Sequence, residues 1–245
     1  MDERREGTDL PVNGDGMAVK PAVSPYGRHV WIGAVLGILS FIGAVWTVID
    51  RWLNRILLDI GGAEVLAGYQ VLDAVLTSGA AALVMLALYL CAVKVTESLP
   101  DRGAFAALAL AEVLHAAGML GGLVLPGGNT AFYLGAVCVP MAFAMRAAAF
   151  WVIFINRENS RDAGGIALAA GCLWLLRAVG AVVTYFATWV LTSGAFDEIW
   201  VSIAAFMSNV TLFAAIIGGM LDGLTFLLLR TPVPTTTYPE KNEQL

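Results

Sequence analysis

Five ionisable residues, Glu112, His115, Arg146, Arg177 and Asp222, stand alone inside long apolar runs of the chain. A charge at the centre of a bilayer costs about 2.5–3.5 kcal/mol even on lenient insertion scales, so such side chains face one another or a polar path rather than lipid. Their types define the chemistry available. Two carboxylates can bind or relay a cation or a proton, and two arginines can act as counter-charges that set the carboxylates' proton affinity. An imidazole titrates close to neutral pH. Glu112 and His115 are three residues apart and share one helix face. Asp73 is a sixth such residue, nearer the end of its run.

The elements that must position these residues follow from composition. Hydrophobic residues make up 59% of the 245-residue chain and charged residues 13%, about half the share of roughly 25% in soluble domains. The apolar residues fall in blocks long enough to cross a hydrocarbon core about 30 Å thick. Only helices satisfy their own backbone groups in lipid at such lengths, so the fold class is all-α. The pattern predicts a bundle of six transmembrane helices over 30–49, 66–93, 104–125, 131–155, 166–191 and 200–229. The domain is expected to occupy 29–230, between polar tails over 1–28 and 231–245 that read as disordered and cytoplasmic.

Lys and Arg set the orientation. Lys20, Arg28, Lys94, Arg102, Arg157, Arg161, Arg230 and Lys241 fall on one side of these spans, which places both termini in the cytoplasm. Arg51 and Arg55 dissent, lying on the other side. Around them Trp52, Leu53, Ile56, Leu57 and Ile60 form one apolar face, which predicts a separate interfacial helix at 50–60. The alternative is that this stretch continues the first span. The localisation expected is a multi-pass protein of a cell membrane, of the bacterial inner-membrane kind.

Depth brings the five residues together. Counted from each segment's cytoplasmic end at 1.5 Å per residue, Glu112 lies about 12 Å deep, His115 about 16 Å, Arg146 about 15 Å, Arg177 about 18 Å and Asp222 about 12 Å. All five belong to one layer, with two acids, two arginines and a histidine able to neutralise one another. Gly118 and Gly122 beside Glu112, and Gly219 and Gly223 around Asp222, repeat the small-xxx-small spacing that lets helices approach closely. This predicts that the third and sixth helices pack together with the acids at their contact. Pro140, inside the fourth span, is expected to kink it and free a carbonyl.

Other chemistry lacks its residues. Two histidines, His29 and His115, are too few for bis-histidine haem ligation or an HExxH metal site. No nucleophile elbow, P-loop or dinucleotide-binding glycine pattern is present, and Cys91, Cys138 and Cys172 are spaced as apolar packing residues. No cofactor, metal, catalytic residue or nucleic-acid partner is expected. The expected partners are the lipid bilayer and further copies or other membrane subunits. The leading expectation is a transport component: a small permease, channel or permease subunit whose charged layer binds or relays a cation or proton. The alternative is a sensory or scaffolding membrane protein in which buried ion pairs only fix helix packing.

Overall fold

A chain this apolar must pair its own backbone groups locally, and every long apolar segment is helical. The computed structural model describes residues 24–124, 128–156, 161–194 and 198–230. In order they form α1 (Trp31–Asp73), a π-helical segment (Ala74–Ala81), α2 (Ala82–Val95), α3 (Leu99–Val124), α4 (Gly128–Asn156), α5 (Arg161–Thr192) and α6 (Glu198–Leu228). No strand occurs among the described residues. Among the described residues, five stretches are long and apolar enough to cross a membrane: Trp31–Val95, Leu99–Gly121, Gly128–Asn156, Ala163–Thr192 and Glu198–Leu228. The outward surface is apolar as well, with Ile42, Phe206 and Phe213 exposed at 57%, 65% and 63%. A contiguous surface of that kind belongs in lipid.

The first stretch has 65 residues. Straight, it would run about 97 Å, roughly three times the hydrocarbon thickness. Instead it reverses at Gly62, whose φ of 68° and ψ of −170° lie in a region open essentially to glycine alone. Cross-bonds fix the reversal. The Trp46 indole donates to Asp73 at 2.9 Å, and the Tyr69 hydroxyl donates to Asp50 at 2.9 Å. In a straight helix Trp46 and Asp73 would be about 40 Å apart, so the arms 31–61 and 63–73 run antiparallel. Residues 50–60 continue the first arm without a break up to this turn, and so do not form the separate helix expected there. Intrahelical hydrogen bonding continues more cheaply than it restarts.

Each helix packs on its neighbour in sequence from α2 through α3, α4 and α5 to α6, and α6 closes back on α1. The small residues set the close approaches, but with partners other than those expected. A methyl group at Gly118 would lie 2.8 Å from Val139 on α4. One at Gly219 would lie 3.1 Å from Ala44, and one at Gly223 would lie 2.9 Å from the Gly37 carbonyl oxygen, both on α1. The expected α3–α6 seam is therefore replaced by an α3–α4 and an α1–α6 seam. The surroundings of Gly122 lie outside the described residues. α4 continues as one helix through the buried Pro140.

One end of the bundle is closed by aromatic rings. Tyr26 lies 5.6 Å from Phe105, Phe105 lies 6.5 Å from Phe226, and Phe226 lies 6.0 Å from Tyr89 and 5.8 Å from Phe150, centroid to centroid. The Ser24 hydroxyl donates to the Leu229 carbonyl at 2.9 Å, so the start of α1 and the end of α6 share this end. Residues 24–28 were expected within the disordered tail, but Tyr26 is fully buried among the helices. Its ring finds more apolar contact there than water could offset. The remainder of both expected tails, 1–23 and 231–245, lies outside the described residues.

Candidate functional site

Four consecutive helices each bring ionisable side chains to one level of the bundle. α3 supplies Glu112 and His115, α4 supplies Arg146, α5 supplies Arg177 and α6 supplies Asp222. The Arg146 guanidinium donates through Nη2 to Oε1 of Glu112 and forms an ion pair with it. Glu112 is 4% exposed and Asp222 3% exposed, so both carboxyls have left water almost entirely and depend on the protein for their partners.

Two aromatic side chains complete the cluster. Trp174, one helical turn before Arg177 on α5, donates its indole N–H to both carboxylate oxygens of Asp222, at 2.9 and 3.0 Å. The Trp174 ring also receives both arginines. The guanidinium carbons of Arg146 and Arg177 each lie 4.6 Å from its centroid. Phe143, one turn before Arg146 on α4, lies 4.2 Å from the Arg177 guanidinium and 5.6 Å from Trp174. The His115 ring packs 5.6 Å from Phe143. All five residues expected at one depth are thus joined into one connected cluster, through Phe143 and Trp174 as well as through charge.

The charges are not paired symmetrically. Glu112–Arg146 is the one ion pair among the described residues. Arg177 and Asp222 do not come within ion-pair distance, and Trp174 touches both, donating to Asp222 and lying against the Arg177 guanidinium. Arg177 is held by two aromatic faces, an attraction worth about 2 kcal/mol when desolvated, while its buried Nε finds no acceptor. The Nε of Arg146 is also buried without an acceptor. Asp222 is anchored by a neutral donor rather than a cation. The layer therefore holds one closed pair, and one cation and one anion that share an indole without pairing.

Phe143 and Trp174 were not singled out by sequence reasoning, though a signal exists. Both intramembrane arginines follow an aromatic residue by three positions, in FAMR (143–146) and WLLR (174–177). At that spacing the ring and the guanidinium share one helix face. Asp73 lies apart from this layer, on the second arm of α1, where the Trp46 indole caps it in the same indole-to-carboxylate manner. Among the described residues no three His, Cys, Asp or Glu side chains gather as metal ligands. Two surface cavities, one beside Arg51 and Arg55 and one beside Phe41 and Ile49, lie away from the layer.

Comparison of the chain with known protein families, curated proteins and solved structures finds no match. The reading of the site therefore rests on its geometry.

Proposed function

We propose that this chain is a membrane transport component, a small permease, channel or permease subunit, in which the charged layer binds or relays a cation or proton. In this reading the 65-residue first stretch crosses the bilayer twice, once on each side of Gly62, giving six spans. The Lys and Arg distribution then puts both termini in the cytoplasm, and the Ser24–Leu229 contact agrees with their sharing a side. The expected partners are lipid and either further copies of the chain or other membrane subunits.

The observation that carries the proposal is that Asp222 accepts from the neutral Trp174 indole while Arg177 stays beyond ion-pair distance of it. A layer that served packing alone would close both pairs, because an uncompensated buried charge is destabilising by several kcal/mol. Holding a carboxylate apart from its counter-charge leaves it available to a cation or proton. Asp222 is the assigned carrier, and Trp174 holds it in place. Glu112–Arg146 forms the closed side of the layer, and His115 lines it beside Phe143.

The test is flux. The full chain, reconstituted in liposomes that contain a pH-sensitive dye, is expected to pass protons or alkali cations down an imposed gradient, and Asp222→Asn is expected to abolish this. Flux no greater than in protein-free liposomes, or unchanged flux in a well-folded Asp222→Asn variant, refutes the proposal. One observation favours the second reading, a non-transporting packing role. The Glu112–Arg146 pair is closed and both of its side chains are largely buried. That reading expects no flux and no loss when both partners of the pair are replaced together by apolar residues.

A further inference from the structure

The two arginines that break the sequence's charge asymmetry line a crevice of about 460 Å³ at the Gly62 end of the bundle, between the two arms of α1 and α6. Arg51 and Arg55 lie one turn apart on the first arm. They follow the start of α1 by 20 and 24 residues, about 30 and 36 Å of helix, which places them at the interface opposite the aromatic cluster. Arg51 is oriented by donating from Nη2 to the Asn209 side-chain oxygen at 2.9 Å. Arg55 makes no hydrogen bond or ion pair among the described residues, so its five N–H groups are uncommitted.

The one acid in the crevice does not neutralise them. Asp50 accepts the Tyr69 hydroxyl at 2.9 Å and the Asn54 amide at 2.8 Å, which engages it with the opposite wall. Asp59 and Glu64, the neighbouring acids of α1, do not line the crevice. The lining therefore carries two positive charges and one negative, a net of one positive charge. The rest of the lining is mixed: Leu58, Leu66 and Leu212 supply apolar surface, and Thr47, Asn54 and Gln70 supply neutral polar groups.

We propose that this crevice binds the phosphodiester headgroup of an anionic membrane lipid, with the phosphate on Arg51 and Arg55 and the glycerol and upper chain against the leucines. The single negative charge of a phosphodiester balances the net charge of the lining. The arginine fork matches phosphate oxygens geometrically, and the volume exceeds what inorganic phosphate needs. A basic crevice between helices at the interface offers such a headgroup charge for its phosphate and apolar surface for its glycerol and upper chain. The site stands on the crevice alone and holds whether or not the bundle transports anything.

The test uses the full chain purified in a neutral detergent, with bound lipid counted by native mass spectrometry and unfolding followed by heating. Phosphatidylglycerol is expected to remain bound and raise the melting temperature, and phosphatidylcholine is not. Arg55→Gln is expected to weaken phosphatidylglycerol binding about tenfold, the loss of one charge-assisted contact. Arg51→Gln adds to it, and Arg55→Lys is expected to retain part of the binding. Arg55 has no hydrogen-bond or ion-pair partner among the described residues, so its variant keeps the test valid even if Arg51→Gln fails to fold through loss of Asn209. Equal retention of the two lipids, or unchanged binding in Arg55→Gln, overturns the proposal. So does protection by inorganic phosphate as strong as that by the lipid, which would make the crevice a free-anion site.

Discussion

Replacing Glu112 by glutamine tests the closed side of the charged layer most directly. The substitution keeps the shape of the side chain but removes the charge that Arg146 faces. The two side chains are only 5% and 14% exposed, so solvent screens their attraction weakly. Two unit charges about 4 Å apart at an effective dielectric near 20 attract by about 4 kcal/mol. Some of that is recovered because the neutral amide carries no charge to desolvate, and the Trp174 face still holds the guanidinium. Against this, the Nε of Arg146 already lacks an acceptor, so few groups remain to absorb the lost one. A net destabilisation of about 3 kcal/mol follows, near the lower end for breaking a buried pair. Arg146→Met should cost a similar amount, because it strands the Glu112 carboxylate. The apolar double replacement Glu112→Leu with Arg146→Met should recover to within about 1 kcal/mol of the wild type, since neither charge is then left unpaired. The assay is reversible unfolding in mixed micelles, with helicity checked by circular dichroism. Additive single and double effects, or single effects below about 0.5 kcal/mol, would show that the pair is not coupled in the folded bundle and refute the reasoning.

Three further predictions follow from the same structure. Trp174→Phe keeps a ring for the arginines but removes the indole N–H that Asp222 accepts, so it should destabilise by about 1–3 kcal/mol; adding Asp222→Asn should relieve most of that, read by thermal unfolding. Gly223→Ala places a methyl group 2.9 Å from the Gly37 carbonyl oxygen and should cost about 1–3 kcal/mol by forcing α1 from α6. Gly43→Ala, its control, meets nothing within 4 Å and should be neutral or stabilise the helix by up to about 1 kcal/mol; both are read by the same unfolding assay. Gly62→Ala forces a side chain into a backbone region reserved for glycine and should cost about 1–3 kcal/mol. Its effect should appear as loss of the Trp46–Asp73 contact, detectable in tryptophan fluorescence, and an unshifted spectrum with unchanged stability would count against the turn.

Much of this protein is legible in one dimension. Apolar block length dictates helices, because lipid allows few other ways to satisfy a backbone. Counting along those helices gives each charge a depth, and depth alone groups Glu112, His115, Arg146, Arg177 and Asp222. What counting cannot supply is azimuth, the direction in which each helix face points, because that depends on the neighbouring helix. The small-xxx-small stretches at Gly118 and Gly223 announce a close approach without naming the partner, so the expected α3–α6 seam gave way to α3–α4 and α1–α6. Residues 24–28 are polar enough to read as tail, and only the packed end of the bundle provides the aromatic surroundings that bury Tyr26. The double glycine at 61–62 permits a turn, but the bonds of Trp46 and Tyr69 across the arms decide that it is made. In the charged layer, composition and spacing dictate which charges are buried and at what depth. The packed bundle decides that Arg146 closes on Glu112 while Asp222 takes the Trp174 indole rather than Arg177, because that choice depends on which side chain reaches which across two helices.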